Sequence, residues 1–192
     1  MIKHFNSRQF DGPFRHKRLL AILPDRMNYK SLLYIGARPD RIDHIEIFKH
    51  CNVTIAEIWR NNVRNIRKAL KSPNAHKAVK KLRGLKSVKI IKRNIIDMDL
   101  DRKFDVGMWW HGPEHVASDK LQQAIENLER HTRCVVVLGC PWGHYAQSNF
   151  QNPHEKHISH NNPEFFHSLG YHVETQGKKG PGSNIMSIKR LK

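Results

Sequence analysis

The chain has 192 residues, with 34 Lys and Arg against 17 Asp and Glu, a formal charge of +17 and an isoelectric point of about 10.1. That length suits one domain, 1–192, whose core needs no metal or disulfide staple, and so large a positive excess implies an anionic partner or surface. Cys51, Cys134 and Cys140 form no Cys-x-x-Cys pair, and the apolar runs LLAIL and CVVVLGC fall far short of the roughly 20 residues of a membrane span, so a cytoplasmic protein without disulfide framework or bilayer span is expected.

Residues 1–30 read as an N-terminal arm and helix. The arm, MIKHFNSRQFDGPFRHKR, offers Phe5, Phe10 and Phe14 as anchors for a lid, or is a loosely ordered end; a helix over about 15–23 is closed by Pro24. Residues 31–192 make the core. Strand one, SLLYI at 31–35, meets Gly36 and passes into a helix from Pro39 to Lys49, with Ile42, Ile45 and Phe48 on its buried side. Strand two is NVTIAE, 52–57. A helix from Trp59 to Leu70 carries Trp59, Val63, Ile66 and Leu70 on one stripe and a basic opposite face, and a second basic helical stretch, 74–83, leads to strand three at 88–92. Strand four is FDVGMW, 104–109, followed by a helix over 117–131 with Leu121, Ile125 and Leu128 inward. CVVVLG, 134–139, has the unbroken apolar character of a central strand buried on both faces. After a long loop, 140–161, come a helix over 163–169 ended by Gly170 and two strands, 171–176 and 184–190. The order predicts an α/β fold with a Rossmann-like, seven-stranded, mostly parallel sheet, helices on both faces and a C-terminal antiparallel strand.

The charge is concentrated. From Arg60 to Arg93 there are thirteen Lys or Arg and no Asp or Glu. Solvated helix faces usually mix signs, so this segment is read as a functional basic surface, with nucleic acid the leading partner. Glu57 stands at the end of strand two, 21 residues after Gly36, about the spacing at which a carboxylate meets ribose hydroxyls in nucleotide-binding α/β folds. Helix capping, or an ion pair with Arg60, is the other reading of Glu57.

This order and spacing resemble the class I S-adenosylmethionine-dependent methyltransferases over about residues 30–190. The resemblance implies S-adenosylmethionine as cofactor and methyl transfer as activity. In the family's first motif an acid precedes alternate glycines; here Tyr34 stands at the acid, Gly36 matches the first glycine, and Arg38 and Asp40 replace the later ones. The resemblance puts Glu57 and its neighbour Ile58 at the ribose, and Asn94 and Ile95 around adenine, with Asp97 the alternative to Asn94. WWHGPEHV, 109–116, is similar to the family's apolar run ending in Glu-His-Val, so Trp109 or Trp110 would face the sulfonium. The late loop, GCPWGHYAQSNFQNPHEKHISHNNPEFFHSLGYHV, resembles a subgroup of unassigned substrate through Pro141, Gly143, Asn152, Pro153, His157, Ser159, Phe165 and Gly170. Long loops at the carboxyl end of a sheet commonly carry substrate groups, so Trp110, Glu114, Trp142, Asn152 and Ser159 are expected at the acceptor.

His111, His115 and His157 are the candidate catalytic residues, one of them as general base. The spacings of His111 and His115, and of His154, His157 and His160, raise zinc; Pro113 between the first pair and the lack of a Cys or carboxylate cluster lead to an expectation of no metal. Cys140 is read as buried or pocket-lining rather than as a nucleophile, because the Pro-Cys segments of cytosine-C5 methyltransferases are missing. The rival to an enzyme is a methyltransferase-like fold without catalysis, serving as a basic nucleic-acid-binding or assembly protein. A nicotinamide-dependent enzyme would need Gly-x-Gly-x-x-Gly after strand one, and Gly36 has no such followers.

Overall fold

The computed structural model describes residues 1–6, 12–144 and 151–192. Its elements are β1 (Ile2–Phe5), α1 (Gly12–Ile22), β2 (Ser31–Ile35), β3 (Asn52–Glu57), α2 (Arg60–Lys71), α3 (Lys77–Arg83), β4 (Ser87–Lys92), β5 (Phe104–Trp110), α4 (Ser118–Arg130), β6 (Thr132–Pro141), α5 (Pro163–Ser168), β7 (His172–Gln176) and β8 (Asn184–Arg190). The strands form one sheet in the order β1-β7-β8-β6-β5-β2-β3-β4. All pairings are parallel except those of β8, which lies antiparallel between β6 and β7. The α/β class, the mixed sheet and the helices on both faces are as the sequence predicts. No helix among the described residues is long and apolar enough to cross a membrane.

Successive side chains on a strand point to opposite faces, and β6 shows why its sequence is continuously apolar. Val135 and Val137 join Leu19 of α1, Val63 and Ile66 of α2 and Leu82 of α3 in one apolar layer. Val136 and Leu138 join Leu121, Ile125 and Leu128 of α4 and Phe166 of α5 in the other. Each such side chain contributes roughly 1.5–3 kcal/mol of burial.

Two predicted features are corrected. An eighth strand exists: β1 pairs in parallel with β7, from Ile2 opposite Val173 to Phe5 opposite Gln176. A four-residue edge strand, IKHF, is too short for alternation to register, and its pairing partner lies far along the chain. The helix expected over 39–49 does not form. Arg38 and Arg41 exchange both backbone hydrogen bonds at 3.2 Å around Pro39 and Asp40, and each arginine also pairs with the aspartate two residues on. The Tyr34 hydroxyl donates to the Asp43 carbonyl and accepts from the Asp43 N–H, at 3.3 and 3.1 Å. Turn formation of this kind, built on proline and on aspartate side chains, competes directly with a helix, and only Ile45–Phe48 closes into a 3-10 turn. Ile42, Ile45 and Phe48 are buried as expected, but from a loop.

Candidate active site

The carboxyl ends of β2, β3, β4 and β5 open onto a cleft of about 1070 Å³. In open α/β sheets this edge is where ligands bind. The volume stands at the upper end of the range for small-molecule sites, roughly 300–1,000 Å³, leaving room for two reactants. Gly12 and Arg15 of α1 line it as well, so the N-terminal helix forms part of its wall. Phe10, one of the expected anchors of that arm, lies outside the described residues.

On the β2–β3 side the backbone does much of the shaping. Gly36 adopts a left-handed φ of 68° and donates its N–H to the Ala56 carbonyl at 2.9 Å, turning the chain away from the sheet. Glu57 is 4 % exposed, and its two carboxylate oxygens accept the Ala37 and Trp59 N–H groups at 2.9 and 2.8 Å. It therefore ties the residue that precedes α2 to the loop after β2, and with a further hydrogen bond from the Asn62 side chain it stands in the wall of the cleft. Burial pushes its carboxyl up to about 7, with the Glu155 carboxylate adding to the rise. The Asn94 side-chain oxygen accepts the Ile96 N–H at 3.1 Å, and Ile95 and Ile58 line the wall beside it. Tyr34 also reaches the wall, with its hydroxyl committed to Asp43.

The end of β5 is the most constrained part. Trp109 and Trp110 point to opposite faces, into the two apolar layers. Gly112 and Gly139 make space for them: a Cβ at Gly112 would sit 1.7 Å from the Trp109 indole nitrogen, and one at Gly139 would sit 2.6 Å from the Trp110 ring. His111 has a left-handed φ of 51°, a costly conformation for a residue with a side chain, and such strain concentrates at functional sites. Arg41 donates to His111 Nε2 at 2.6 Å, so the ring proton is on Nδ1, which faces Glu114 Oε1 at 3.6 Å.

Glu114 and His115 follow in a 3-10 turn, Pro113–His115. The segment 151–161 is stitched to that turn. Ile158 and Ser159 donate their N–H groups to the Glu114 carbonyl at 2.9 and 3.2 Å, and the Ser159 hydroxyl donates to the Pro113 carbonyl at 3.0 Å. His157 is thereby set against His115, ring centroids 4.9 Å apart. Burial pushes the Glu114 carboxyl up to about 8 and the His115 ring down to about 4, and holds His111 well below its usual range. Near neutral pH the rings of His111 and His115 are uncharged.

Of the residues the sequence nominates, Tyr34, Gly36, Glu57, Ile58, Asn94, Ile95, Trp109, Trp110, His111, Glu114, His115, Asn152 and His157 all line this cleft. Trp142 and Ser159 do not. Trp142 packs against the apolar layer under α4 and α5 and bonds through its backbone to Ser183 and Gly182, while Ser159 fastens the loop from behind. Asn152 is buried and caps its own turn, accepting from His154 N–H and donating to Glu155. Cys140 is buried, and burial holds its thiol well above the usual range, which disfavours a nucleophile. Sequence reasoning missed Glu155 and the cleft arginines. Arg38 bridges Glu155 Oε2 at 2.8 Å and Asp40, clasping the loop after β2 to segment 151–161, and Arg15, Arg41 and Arg93 also face the cleft. Neither Arg38 nor Glu155 carries a local signal, because their partnership spans more than a hundred residues. Residues 145–150 of the late loop lie outside the described residues.

The basic segment forms α2, α3 and edge strand β4, and twelve of its thirteen cationic residues are exposed, Lys81 being half-buried. Some serve the fold: Arg83 donates to the Ala69, Leu70 and Ser72 carbonyls at the end of α2, Arg67 to the Ile90 carbonyl, and Lys81 pairs with Glu46.

No family model matches the chain, and no curated protein matches its sequence. Solved structures do match. The methyltransferase domain of bacterial CtHen1-CN is similar with a TM-score of 0.60 at 16% identity, over 92% of this chain and 97% of that one. The N-terminal domain of EvdMO1 with SAH bound gives 0.65 at 13% identity, over 96% and 83%. An S-adenosylmethionine-dependent methyltransferase from Clostridium acetobutylicum gives 0.65 at 11% identity, over 94% and 92%.

Proposed function

We propose that this chain, which has the fold of the class I S-adenosylmethionine-dependent methyltransferases, binds S-adenosylmethionine and moves its methyl group to an acceptor, with nucleic acid the first acceptor to test. The observation that carries the reading is the cleft: thirteen residues nominated from the sequence converge on it, at the sheet edge where this class of fold holds its ligands. Neighbours solved with SAH bound support the choice of cofactor.

The cofactor lies across the ends of β2, β3 and β5. Backbone at Gly36 meets its amino-acid end, Glu57 accepts from the ribose hydroxyls, and Ile58 and Ile95 flank the adenine beside Asn94. Trp109 faces the sulfonium, a contact worth roughly 0.5–2 kcal/mol depending on desolvation. Methyl transfer is an in-line displacement, so positioning supplies much of the rate. The acceptor enters between 109–117 and 151–158, where His115 and His157 face it. His111 orients Glu114 and is not the base, because its Nε2 already accepts from Arg41. The exposed cations of 60–93 draw an anionic acceptor toward the cleft, where Arg93 continues the basic surface.

The test is calorimetric titration with S-adenosylmethionine and S-adenosylhomocysteine, with Glu57→Ala as control and a thermal melt to establish folding. Saturable binding, weakened by more than about 100-fold in the variant as two hydrogen bonds to a charged group are lost at roughly 1.5–3 kcal/mol each, is the expected result. No binding by folded wild-type protein would overturn the enzyme reading and favour a basic binding protein built on the same fold.

A further inference from the structure

We propose that Glu114, His115 and His157 form a binding site for a divalent transition-metal ion on the acceptor side of the cleft. One ligand atom from each lies within 4.8 Å of the others, and all three residues line the cleft. The sequence expectation of no metal rests on Pro113 between the first pair of histidines and on the lack of a Cys or carboxylate cluster; the Pro113–His115 turn presents Glu114 and His115 without a regular helix, and segment 151–161 brings His157 to them.

Three details point to an ion rather than to chance proximity. Glu114 is 2 % exposed, and its Oε2 has no hydrogen-bond partner in the structure, a costly state for a buried carboxyl oxygen. His115 Nδ1 donates to the Lys156 carbonyl at 3.2 Å, which fixes the tautomer and leaves the Nε2 lone pair for a ligand bond. Metal-binding histidines characteristically have such a carbonyl partner on the far nitrogen. His111, held at Nε2 by Arg41, stands with Nδ1 3.6 Å from Glu114 Oε1, so it approaches the other carboxyl oxygen and leaves Oε2 open to a ligand.

The donor set selects the ion. Two imidazoles and one carboxylate suit Zn²⁺, Mn²⁺, Fe²⁺ or Co²⁺, whereas Mg²⁺ and Ca²⁺ favour all-oxygen shells. At metal–ligand lengths of roughly 2.1 Å, tetrahedral donors stand roughly 3.4 Å apart, so side-chain rotation that draws the three groups inward by about an ångström closes the site. Three protein ligands leave coordination positions open, as catalytic sites do and structural sites do not. Those positions face the cleft, where an acceptor oxygen completes the shell and is held beside the methyl donor. That last role rests on the proposed methyl transfer; the metal site itself does not.

Purified protein stripped with a chelator and titrated with Co²⁺, read by its visible absorption and by calorimetry, tests the site. One equivalent is expected to bind. His157→Ala and His115→Gln are each expected to weaken binding by more than about 100-fold, since loss of an outer partner alone costs roughly 10–100-fold. A thermal melt of each variant reports folding, and either variant suffices if the other fails to fold. His160→Ala, which breaks the separate contact between His144 and His160, is expected to leave binding unchanged. Absence of stoichiometric binding, equal affinity in folded His157→Ala or His115→Gln, or loss in His160→Ala overturns the proposal. Metal binding without cofactor binding would leave the site standing and remove the methyltransferase reading instead.

Discussion

Glu57 makes a prediction whose sign is opposite to that of an ordinary carboxylate. Its carboxyl is raised from 4.5 to about 7, chiefly by burial. The folded state therefore holds this proton more tightly than the unfolded state, where the group titrates near 4.5. Below about pH 4.5 both states are protonated and nothing is lost; as pH rises toward 7 the unfolded chain ionises first, and folding stability falls. Above the folded value the loss is complete. At 1.36 kcal/mol per unit, a rise from 4.5 to about 7 amounts to about 3 kcal/mol. Replacing Glu57 by Gln removes the titration and also misplaces one of the two backbone hydrogen bonds, a constant offset of roughly 1–3 kcal/mol. The difference between wild type and Glu57→Gln isolates the carboxyl, because the offset and the other titrating groups cancel. Urea denaturation of both proteins at half-unit intervals from pH 4.5 to 8 is the assay. The stability of wild type relative to the variant should decline by about 3 kcal/mol across that window and then level. A flat difference, or one rising with pH, would show that Glu57 is not held in a desolvated pocket and would remove the electrostatic basis for its place in the site.

Two substitutions test the walls and the surface. Gly139→Ala puts a Cβ 2.6 Å from the Trp110 ring and should cost about 1–3 kcal/mol in thermal or urea denaturation; an unchanged midpoint would mean that the ring moves freely and does not define the cleft. Changing Arg64, Lys68 and Lys80 to Glu, exposed residues chosen to spare the cap made by Arg83, should weaken duplex DNA binding while leaving S-adenosylhomocysteine affinity intact. The salt dependence should flatten by about 0.9 in log–log slope for each phosphate no longer neutralised, measured by fluorescence anisotropy; equal weakening of both ligands would refute a separate basic surface.

What the sequence made legible, and what it hid, follow from the range of the interactions involved. Strands 31–35, 52–57 and 184–190 have the predicted bounds because apolar runs between turn residues report burial directly. The segment after β2 shows the limit of that signal. Ile42, Ile45 and Phe48 are buried at a spacing that reads as helical, but Arg38 with Asp40, and Arg41 with Asp43, decide the backbone locally. Periodicity recorded which residues go inside, not the conformation that takes them there. The same division runs through the site. Glu57 is nominated by its distance from Gly36, and Asn94 and Trp109 by the family resemblance; all three line the cleft because the sheet fixes where strand ends fall. The meeting of Glu114 and His115 with His157 depends on hydrogen bonds from Ile158 and Ser159 to Glu114 and Pro113, across more than forty residues that include α4, β6 and the late loop. Ser159 was noticed for its place in that loop and assigned to the acceptor, yet its hydroxyl is spent on fastening the loop. The residue that positions a histidine resembled a substrate contact because, in sequence, fastening and binding groups are the same chemical types.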